Sequence, residues 1–360
     1  MTLELNDTRE EVKARGRAFV AAKHGSVHVL GTNKYGAAVA TMLQRHGAGV
    51  KGFINDASGG RFSDKPVVRS ADLPASTAVV NCIVEGRPID ARRNIERWGR
   101  GPSVDYFALQ AAFPEELPEI DFMATTGTVL EDLDRYRALY DRLCDDTSRR
   151  TLQALINFRF NRDISFMEGF TLRLAEQYWE PFINLPAGAV FVDGGAFDGA
   201  TAKEFARRYP DHGHIYCFEP NEGTSQLAEQ ELLGLRDVEL VRKGLWDKAE
   251  TLHFDNSMGS ASKLSDSGST TIACVALDDV VKGPVHLIKL DVEGAEQRAL
   301  KGAERSIRQH MPDLAVCVYH DQRDFLRIPG YVLAIKPGYH VYLRHYTQGV
   351  FETVMFFVKP

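Results

Sequence analysis

Residues 190–199, VFVDGGAFDG, decide the fold of this chain. They predict a short buried strand over 190–192, a glycine-rich turn, and a helix over 201–209, TAKEFARRY. Because glycine carries no Cβ and adopts positive φ, we expect a ligand to lie directly against the backbone of the turn. Unpaired N–H groups at the start of the helix would face the same point. The acid Asp193 at the strand tip, with no phosphate-loop lysine, indicates a nucleotide-like cofactor that carries hydroxyl and ammonium groups.

Strand-like and helix-like runs alternate after this stretch, which predicts a parallel sheet covered by helices on both faces. The predicted strands are 190–192, 215–218, 238–241, 286–290 and 314–318. The predicted helices are 202–209, 223–233 and 295–310. The end of the chain differs, because YVLAIKP, GYHVYLRHY and TVMFFVK indicate strands joined by short turns with proline or glycine. Such runs favour antiparallel pairing at one edge of the sheet.

Polar side chains follow the first three predicted strands. Glu219 follows the second strand, and ligands of open α/β sheets bind beyond the carboxyl ends of the strands. Taken alone, Glu219 is better explained as a solvated loop acid, but VDGGAFDG with Asp193 one strand earlier favours a ribose-binding carboxylate. Trp246 and Asp247, in KGLWD, can stack on an adenine and accept a hydrogen bond from its amino group. A core position explains Trp246 equally well.

The fourth and fifth predicted strands end in a second polar group. HLIKLDVEGAE places Lys289, Asp291 and Glu293 at one strand tip, which is more charge than the start of a helix requires. His320 ends the fifth strand at the same sheet edge, which favours a role as a base. Before these strands, the small polar residues 255–271 indicate a mobile lid or substrate loop that includes Ser260, with a plain surface hairpin as the alternative.

The first 125 residues predict a second, smaller α/β domain. SVHVLGTNKYGAAVATMLQRHG gives a strand over 27–30, a turn bounded by Gly31 and Gly36, and a helix. The spacing is G-x-x-x-x-G, so nucleotide binding and tight packing of strand against helix are equally supported. The stretch GFINDASGGRFSDKPVV resembles the N-terminal Rossmann-like domains of sugar-modifying enzymes. Amphipathic helices over 126–184 form a predicted linker to the main domain at 185–360.

The composition of the chain indicates which kinds of partner the protein binds. The formal net charge of −6 argues against a nucleic-acid-binding protein, which usually carries a basic surplus. No run approaches ~20 apolar residues and the N-terminus is charged, so we expect a cytoplasmic protein without a membrane span. The expected partner is a small-molecule or glycan acceptor. A homo-oligomer could form through the N-terminal domain or through the helices of 130–178.

The motifs together resemble one known family. VDGGAFDGAT, FEP, LWD, IKLDVEGAE, the strand ending VYH, YLRHY and ETVMFF are similar to the FkbM family of S-adenosylmethionine-dependent methyltransferases. The resemblance covers roughly residues 185–360. It implies a class I methyltransferase fold, with a seven-stranded Rossmann-like sheet whose last strand is antiparallel at the edge. One departure is the pair Phe197-Asp198, where the family more often has asparagine-glycine.

The resemblance also implies roles for individual residues. Those implied in cofactor binding are Asp193, Gly194, Gly195, Gly199, Glu219, Trp246, Asp247 and Asp291. Those implied at the transfer site are Asp291, Glu293 and His320. Candidates for binding the acceptor are Lys289, Ser260, Arg344, His345 and Tyr346, with a structural strand as the alternative for the last three.

The sequence therefore predicts an O-methyltransferase that acts on a hydroxyl of a sugar, a glycan or a related natural product. His320 or Asp291 would take the proton of the acceptor hydroxyl while the methyl group moves in line. No metal is expected, and Mg²⁺ held by Asp291, Glu293 and Glu296 is the less favoured alternative because no spacing requires it. Two other functions stay open, a bifunctional protein with a nucleotide or nucleotide-sugar site in the N-terminal domain and a non-catalytic binding module.

Overall fold

The computed structural model describes residues 2–123, 126–255, 263–264 and 270–360. The chain forms two compact units, each built from several segments. The first unit comprises Met1–Arg137, Arg150–Leu174 and His345–Phe351. The second unit comprises Ala138–Arg149, Ala175–Arg344 and Glu352–Pro360. The helical region over 126–184 is therefore divided between the two units, whereas the sequence interpretation treated it as a linker.

The elements up to residue 161 surround the first sheet or extend from it. They are α1 (Arg9–Ala21), β1 (Val27–Leu30), α2 (Lys34–Arg45), β2 (Val50–Ile54), β3 (Gly60–Phe62), β4 (Lys65–Val68), β5 (Ala78–Asn81), α3 (Pro88–Trp98), β6 (Ser103–Asp105), α4 (Tyr106–Ala112), α5 (Thr126–Glu131), α6 (Leu133–Arg142) and α7 (Asp146–Asn161). The sheet has the order β3-β4-β2-β1-β5-β6. Its pairs are parallel except for β3 with β4. A smaller α/β sheet in the N-terminal part of the chain was predicted.

The turn between β1 and α2 shows why its glycines are present. Gly36 lies so close to the end of β1 that a Cβ there would come within 2.2 Å of the Gly31 carbonyl oxygen. The Asn33 side chain caps α2 by accepting a hydrogen bond from the Gly36 N–H at 2.9 Å. Tight packing of strand against helix is therefore sufficient to explain Gly36.

The second unit holds the larger sheet and the remaining elements. These are β7 (Val190–Gly194), α8 (Ala200–Arg208), β8 (His214–Phe218), α9 (Glu222–Glu231), β9 (Val238–Val241), β10 (Gly244–Trp246), β11 (Glu250–Asp255), β12 (Lys263–Leu264), β13 (Thr270–Ala276), α10 (Leu277–Val280), β14 (Leu287–Leu290), α11 (Glu296–Gly302), α12 (Glu304–His310), β15 (Asp313–Cys317), α13 (Asp324–Ile335), β16 (His340–His345) and β17 (Thr353–Val358). The predicted helix over 295–310 is two short helices, α11 and α12.

The main sheet of the second unit has seven strands in the order β16-β17-β15-β14-β7-β8-β9. Strands β7, β8, β9, β14 and β15 pair in parallel. The last strand, β17, runs antiparallel to β15 and lies one position in from the edge. The residues of β14, β15 and β17 are buried throughout, as strands covered on both faces are. The predicted α/β fold with a seven-stranded methyltransferase sheet is confirmed.

Two features of the second unit differ from the sequence interpretation. The run YVLAI does not form a strand, because it is the end of helix α13. Its buried residues Phe325, Ile328, Val332 and Ile335 recur every three or four positions, which is the helical period, and the helix accommodates Pro329. Strands β10 to β13 form a separate four-stranded sheet that the sequence did not indicate.

Most of the stretch 255–271 lies outside the described residues, including Ser260. Its interpretation as a lid or substrate loop and the assignment of Ser260 to the acceptor site therefore remain predictions. Over the ranges that the structure does describe, no helix combines the length and the apolar character needed to cross a membrane.

Candidate active site

The parallel strands of the second unit bring the predicted polar residues to one edge of the sheet. Asp193 pairs in register with Lys289 on the neighbouring strand β14, so the two side chains leave the sheet on the same face. Glu219 directly follows β8, and Asp291 directly follows β14. The carboxyl ends of these strands meet because the pairs are parallel, and this is where open α/β sheets bind ligands.

Asp193 and Lys289 form an ion pair inside the protein. The Lys289 Nζ lies 3.0 Å from Asp193 Oδ1, and the two side chains are 4% and 0% exposed. Lys289 also donates a hydrogen bond of 2.7 Å to the Gly195 carbonyl oxygen. Burial alone would lower the pKa of Lys289, but Asp193 and Asp291 hold it above its ordinary value. Lys289 is therefore charged and ties the strand tip to the turn, and it is too enclosed to bind an acceptor directly.

The glycine turn after β7 is packed more tightly than the sequence suggests. Gly195 has a φ of +78°, and a Cβ there would come within 1.9 Å of the Asp291 carbonyl oxygen. The N–H groups of Gly195 and Ala196 both donate to the Phe218 carbonyl oxygen at 3.0 Å. The backbone of Gly195 and Ala196 is therefore engaged by neighbouring strands, whereas ligand binding by the N–H groups at the start of α8 stays a prediction.

Glu219 fastens the glycine turn to the end of β8. Its two oxygens accept hydrogen bonds from the Phe197 N–H at 3.0 Å and from the Asn221 N–H at 2.9 Å. Phe197 has a φ of +49°, a conformation that asparagine tolerates better than phenylalanine, and its side chain is 60% exposed. The departure noticed in the sequence thus falls on the residue that Glu219 holds. Each carboxylate oxygen keeps a lone pair for a ligand.

Trp246 and Asp247 lie beside Arg298. The Arg298 guanidinium lies over the Trp246 ring at 5.3 Å from its centroid, and its Nη1 lies 2.5 Å from Asp247 Oδ2. Trp246 is only 7% exposed, which agrees with a core position. Asp247 Oδ1 is buried and has no hydrogen-bond partner within the described ranges. Asp247 thus has an acceptor left for a ligand, whereas the Trp246 ring is largely covered.

Asp291 is held by two tyrosines. Tyr178 donates a hydrogen bond of 3.0 Å to Asp291 Oδ2, and Tyr319 donates one of 3.2 Å to Oδ1. Burial alone would raise the pKa of Asp291, but Lys289 and His320 lower it below its ordinary value. The Gln177 amide donates to the Tyr178 hydroxyl at 3.0 Å and to Glu352 Oε2 at 2.6 Å, which extends the network. Asp291 is therefore an ionised carboxylate in a fixed orientation.

His320 lies among three carboxylates. Its Nδ1 is 3.1 Å from Glu296 Oε1, and its Nε2 is 3.6 Å from Asp291 Oδ1 and 3.5 Å from Glu293 Oε2. Burial alone would lower the pKa of His320, but Glu296, Asp291 and Glu293 raise it to about 9. Burial raises the pKa of the half-exposed Glu293 to about 7. The structure thus brings together the three residues predicted at the transfer site and adds Glu296.

The three residues predicted from the tail are buried and engaged in contacts. In the second unit, the Arg344 guanidinium pairs with Asp145 at 2.7 Å and with Glu180 at 3.3 Å. His345 and Tyr346 belong to the first unit and are 1% and 0% exposed. The Phe170 ring lies edge-on to the His345 ring at 5.0 Å. These contacts agree with the structural alternative that the sequence left open.

Sequence reasoning missed Gln177, Tyr178 and Glu352. The first two fall in the region interpreted as a helical linker, where no motif indicates a role. Both Tyr178 and Glu352 have positive φ, of 70° and 65°. Such conformations are uncommon away from glycine and concentrate at functional sites, but they cannot be inferred from a single sequence.

Comparison with known proteins gives this site its class. Residues 193–344 match the family model described as the methyltransferase FkbM domain. The chain is similar in structure to a methyltransferase FkbM from Methylobacillus flagellatus KT, with a TM-score of 0.74 and 22% identity over 96% of this chain and 93% of that chain. An rRNA methylase from Streptococcus thermophilus matches 49% of this chain and 91% of that chain, with a TM-score of 0.33 and 15% identity. No curated protein matches the chain.

The matched domain and the fold of the second unit define an enzyme that is an S-adenosylmethionine-dependent methyltransferase. Residues 193–344 form a methyltransferase FkbM domain, and the resemblance drawn from the sequence motifs is confirmed for this domain. The likeness to the Methylobacillus structure extends over nearly the whole chain, so it shows the fold beyond the matched domain as well.

Proposed function

We propose that the chain transfers a methyl group from S-adenosylmethionine to a hydroxyl group of a sugar, a glycan or a related natural product. The observation that carries this proposal is the cluster of Asp291, Glu293 and His320, with Asp193 and Glu219 at the same sheet edge. A sugar hydroxyl scarcely ionises near pH 7, so its transfer chemistry needs a group nearby that takes its proton. The choice of a sugar-type acceptor rests on the family analogy and on the likeness of the N-terminal residues to sugar-modifying enzymes.

The residues at the strand tips fit the polar groups of this cofactor. Lys289 Nζ lies 3.0 Å from Asp193 Oδ1, whereas Asp193 Oδ2 has no hydrogen-bond partner among the described residues. That carboxylate is suited to an ammonium group, directly or through water. Glu219 offers the remaining lone pairs of its two oxygens to the ribose hydroxyls. The unpartnered Oδ1 of Asp247 is suited to the amino group of adenine.

The bound cofactor supplies a methyl group on a positively charged sulfonium. The negative charge around His320 stabilises that cation, and the acceptor oxygen must approach in line with the bond that breaks. We assign uptake of the acceptor's proton to Asp291 or His320. Asp291 is ionised and can take the proton directly, whereas His320, whose pKa is about 9, acts as a base only after it has lost its own proton. Tyr178 and Tyr319 keep the Asp291 carboxylate in one orientation during this step.

The test has a binding stage and a transfer stage. The purified chain is titrated by calorimetry with S-adenosylhomocysteine, and separately with NADH and with a nucleotide sugar. It is then incubated with methyl-labelled S-adenosylmethionine and a panel of free sugars, nucleotide sugars and glycans. We expect S-adenosylhomocysteine to bind and the label to enter a member of the panel. His320→Ala should reduce turnover by ~10²–10⁴-fold and leave cofactor affinity nearly unchanged.

The opposite results point to the other functions. If NADH or the nucleotide sugar binds and S-adenosylhomocysteine does not, the proposal is contradicted. That result would favour a nucleotide site in the first unit. Folded protein that binds none of the three would favour a non-catalytic module.

A further inference from the structure

The His320 ring is oriented by the buried Glu296, and this orientation gives its two nitrogens different surroundings. Glu296 is 0% exposed, and its Oε1 accepts hydrogen bonds from the Val292 N–H at 2.9 Å and the Gly294 N–H at 3.4 Å. Because this oxygen accepts hydrogen bonds from two backbone donors, it carries no proton and presents an acceptor to the histidine ring. The Nδ1 of His320 lies 3.1 Å from the same oxygen, which is within hydrogen-bonding distance. The Nε2 then points away from Glu296.

Two carboxylates face that second nitrogen at distances that suit a shared cation. Nε2 lies 3.6 Å from Asp291 Oδ1 and 3.5 Å from Glu293 Oε2. Both separations exceed the usual range of a nitrogen-to-oxygen hydrogen bond, about 2.7–3.2 Å. Two ligands that each bind a metal at about 2.0–2.2 Å with a tetrahedral angle lie about 3.4 Å apart. The distances from Nε2 to each of the two carboxylate oxygens therefore match those between two ligands of one metal ion.

Glu296 supplies a second observation, independent of these spacings. Its Oε2 is fully buried and has no hydrogen-bond partner in the described part of the chain. A ligand atom from each of Asp291, Glu296 and His320 lies within 4.8 Å of the others. A buried carboxylate oxygen without a donor is costly unless a cation balances it. Glu296 Oε2 therefore retains capacity for positive charge within this cluster.

The orientation of the surrounding groups matches that of metal sites. A metal-bound histidine usually has a carboxylate beside its other nitrogen, and Glu296 Oε1 lies 3.1 Å from His320 Nδ1. Ligating carboxylates are usually hydrogen-bonded in turn, as Asp291 is by Tyr178 and Tyr319. Glu293 has a φ of +55°, a strained conformation of the kind found at functional sites.

We propose that His320 Nε2, Asp291 and Glu293 bind one divalent cation of the first transition series, such as Mn²⁺ or Zn²⁺, with Glu296 orienting the histidine. The single imidazole ligand favours these ions over Mg²⁺. This set differs from the three carboxylates considered from sequence, because Glu296 holds the other ring nitrogen and His320 enters as a ligand. Three protein ligands leave positions open for a hydroxyl, whose pKa such a cation lowers. That use of the cation rests on the proposed methyl transfer, whereas the binding itself does not.

The test measures Mn²⁺ binding to the full chain. Protein freed of metal with a chelator is titrated with Mn²⁺, and the loss of the free-ion signal is followed by electron paramagnetic resonance. We expect one ion per chain, displaced by Zn²⁺. Glu293→Gln, at a half-exposed position that tolerates the change, should weaken binding by about 10-fold or more, since even outer-shell substitutions cost about 10–100-fold. The matched control Glu222→Gln, on the exposed start of α9, should bind like the wild type.

Two results would overturn the cation site. The first is that folded wild-type protein binds neither Mn²⁺ nor Zn²⁺ at millimolar concentrations of the ion. The other is equal affinity in the wild type, Glu293→Gln and His320→Gln. S-adenosylhomocysteine is titrated into the same preparations to keep the two proposals apart. Thioether binding without metal binding contradicts the cation site alone, and metal binding without thioether binding contradicts the proposed function alone.

Discussion

The chain contains two glycine-containing turns of similar sequence, and we assign ligand binding to only one of them. One joins β1 to α2 in the first unit, and the other joins β7 to α8 in the second unit. Both need glycine for close packing, since a Cβ at Gly36 or at Gly195 would come within 2.2 Å or 1.9 Å of a carbonyl oxygen. Both also begin a helix at the end of a buried parallel strand. The glycines therefore do not distinguish a binding turn from a structural one.

The difference lies in the side chains at the neighbouring strand tips. In the first unit these are the amides Asn33, Asn55 and Asn81, and the backbone uses all three. Asn33 donates to the Cys82 carbonyl oxygen, Asn55 accepts from the N–H groups of residues 57 and 58, and Asn81 bridges residues 83 and 88. In the second unit the ends of the strands carry Asp193, Glu219 and Asp291. These acids retain acceptor capacity, so we assign the chemistry to the second turn.

The two units also differ in the pKa of a buried histidine. His345 in the first unit has its pKa lowered to about 3, chiefly by burial, so it stays neutral. His320 in the second unit has its pKa raised to about 9 by the acids around it, against the effect of burial. One ring fills a core, and the other lies in a site that attracts positive charge.

Breaking the ion pair behind the second turn should give the largest effect. Lys289→Met leaves Asp193 buried without its partner, and we expect the free energy of unfolding to fall by about 3–5 kcal/mol. Urea denaturation followed by circular dichroism measures this. Lys203→Met, which removes an exposed pair with Glu231, is the control and should cost less than about 1 kcal/mol. A loss for Lys289→Met as small as that of the control, or no recovery in the double variant with Asp193→Asn, would contradict the account.

Removing the acceptor at the second strand tip should affect the cofactor selectively. Glu219→Ala deletes two charge-assisted hydrogen bonds to ribose and should weaken S-adenosylhomocysteine binding by about 10- to 100-fold. Asn55→Ala makes a comparable change at the second strand of the first unit and should leave that affinity unaltered. Calorimetry on both variants checks the prediction. Equal weakening in the two variants would mean that the turns are not functionally distinct.

The neutral histidine of the first unit should make stability depend on pH. The unfolded chain binds a proton at His345 near pH 6.5, but the folded chain does not until about pH 3, so stability falls as the pH drops through this window. Burial is the main cause, and the charges of Arg159 and Arg173 add to it. Between pH 7.5 and 5.5 the loss from this group is about 1.4 kcal/mol.

His345→Gln isolates that contribution, because glutamine does not titrate. Urea midpoints at pH 7.5, 6.5 and 5.5 should fall less in the variant than in the wild type. Parallel midpoints in the two proteins would show that His345 is protonated in the folded state.

The helix cap of the first turn should give the smallest effect. Asn33→Ala removes the side chain that accepts from the Gly36 N–H and should cost about 1 kcal/mol of stability. Binding of S-adenosylhomocysteine should not change, because in this account Asn33 serves only the fold. A loss of cofactor affinity in this variant would assign the first turn a binding role.

The strand tips could be predicted from the sequence because chain order determines them. Alternation of strands and helices made Asp193, Glu219, Asp291 and His320 converge, since parallel strands end at one edge. Contacts from distant segments could not be inferred in this way. Tyr178 contacts Asp291 from outside the motif-bearing residues. Glu352 begins the motif ETVMFF, but the motif assigns it no role. The positive φ of both residues cannot be inferred from the sequence. The helix over YVLAI was mistaken for a strand because Pro329 and Gly330 resembled a turn.

The measurement that tests the central claim most directly is hydrogen–deuterium exchange of the full chain with and without S-adenosylhomocysteine. If the second turn alone is equipped for the cofactor, protection should rise in peptides that cover 190–199, 215–221 and 287–296. Peptides that cover 27–36 and 50–58 should exchange at the same rate in both states. Protection confined to the first unit, or equal at both turns, would contradict the assignment of the chemistry to the acids of the second unit.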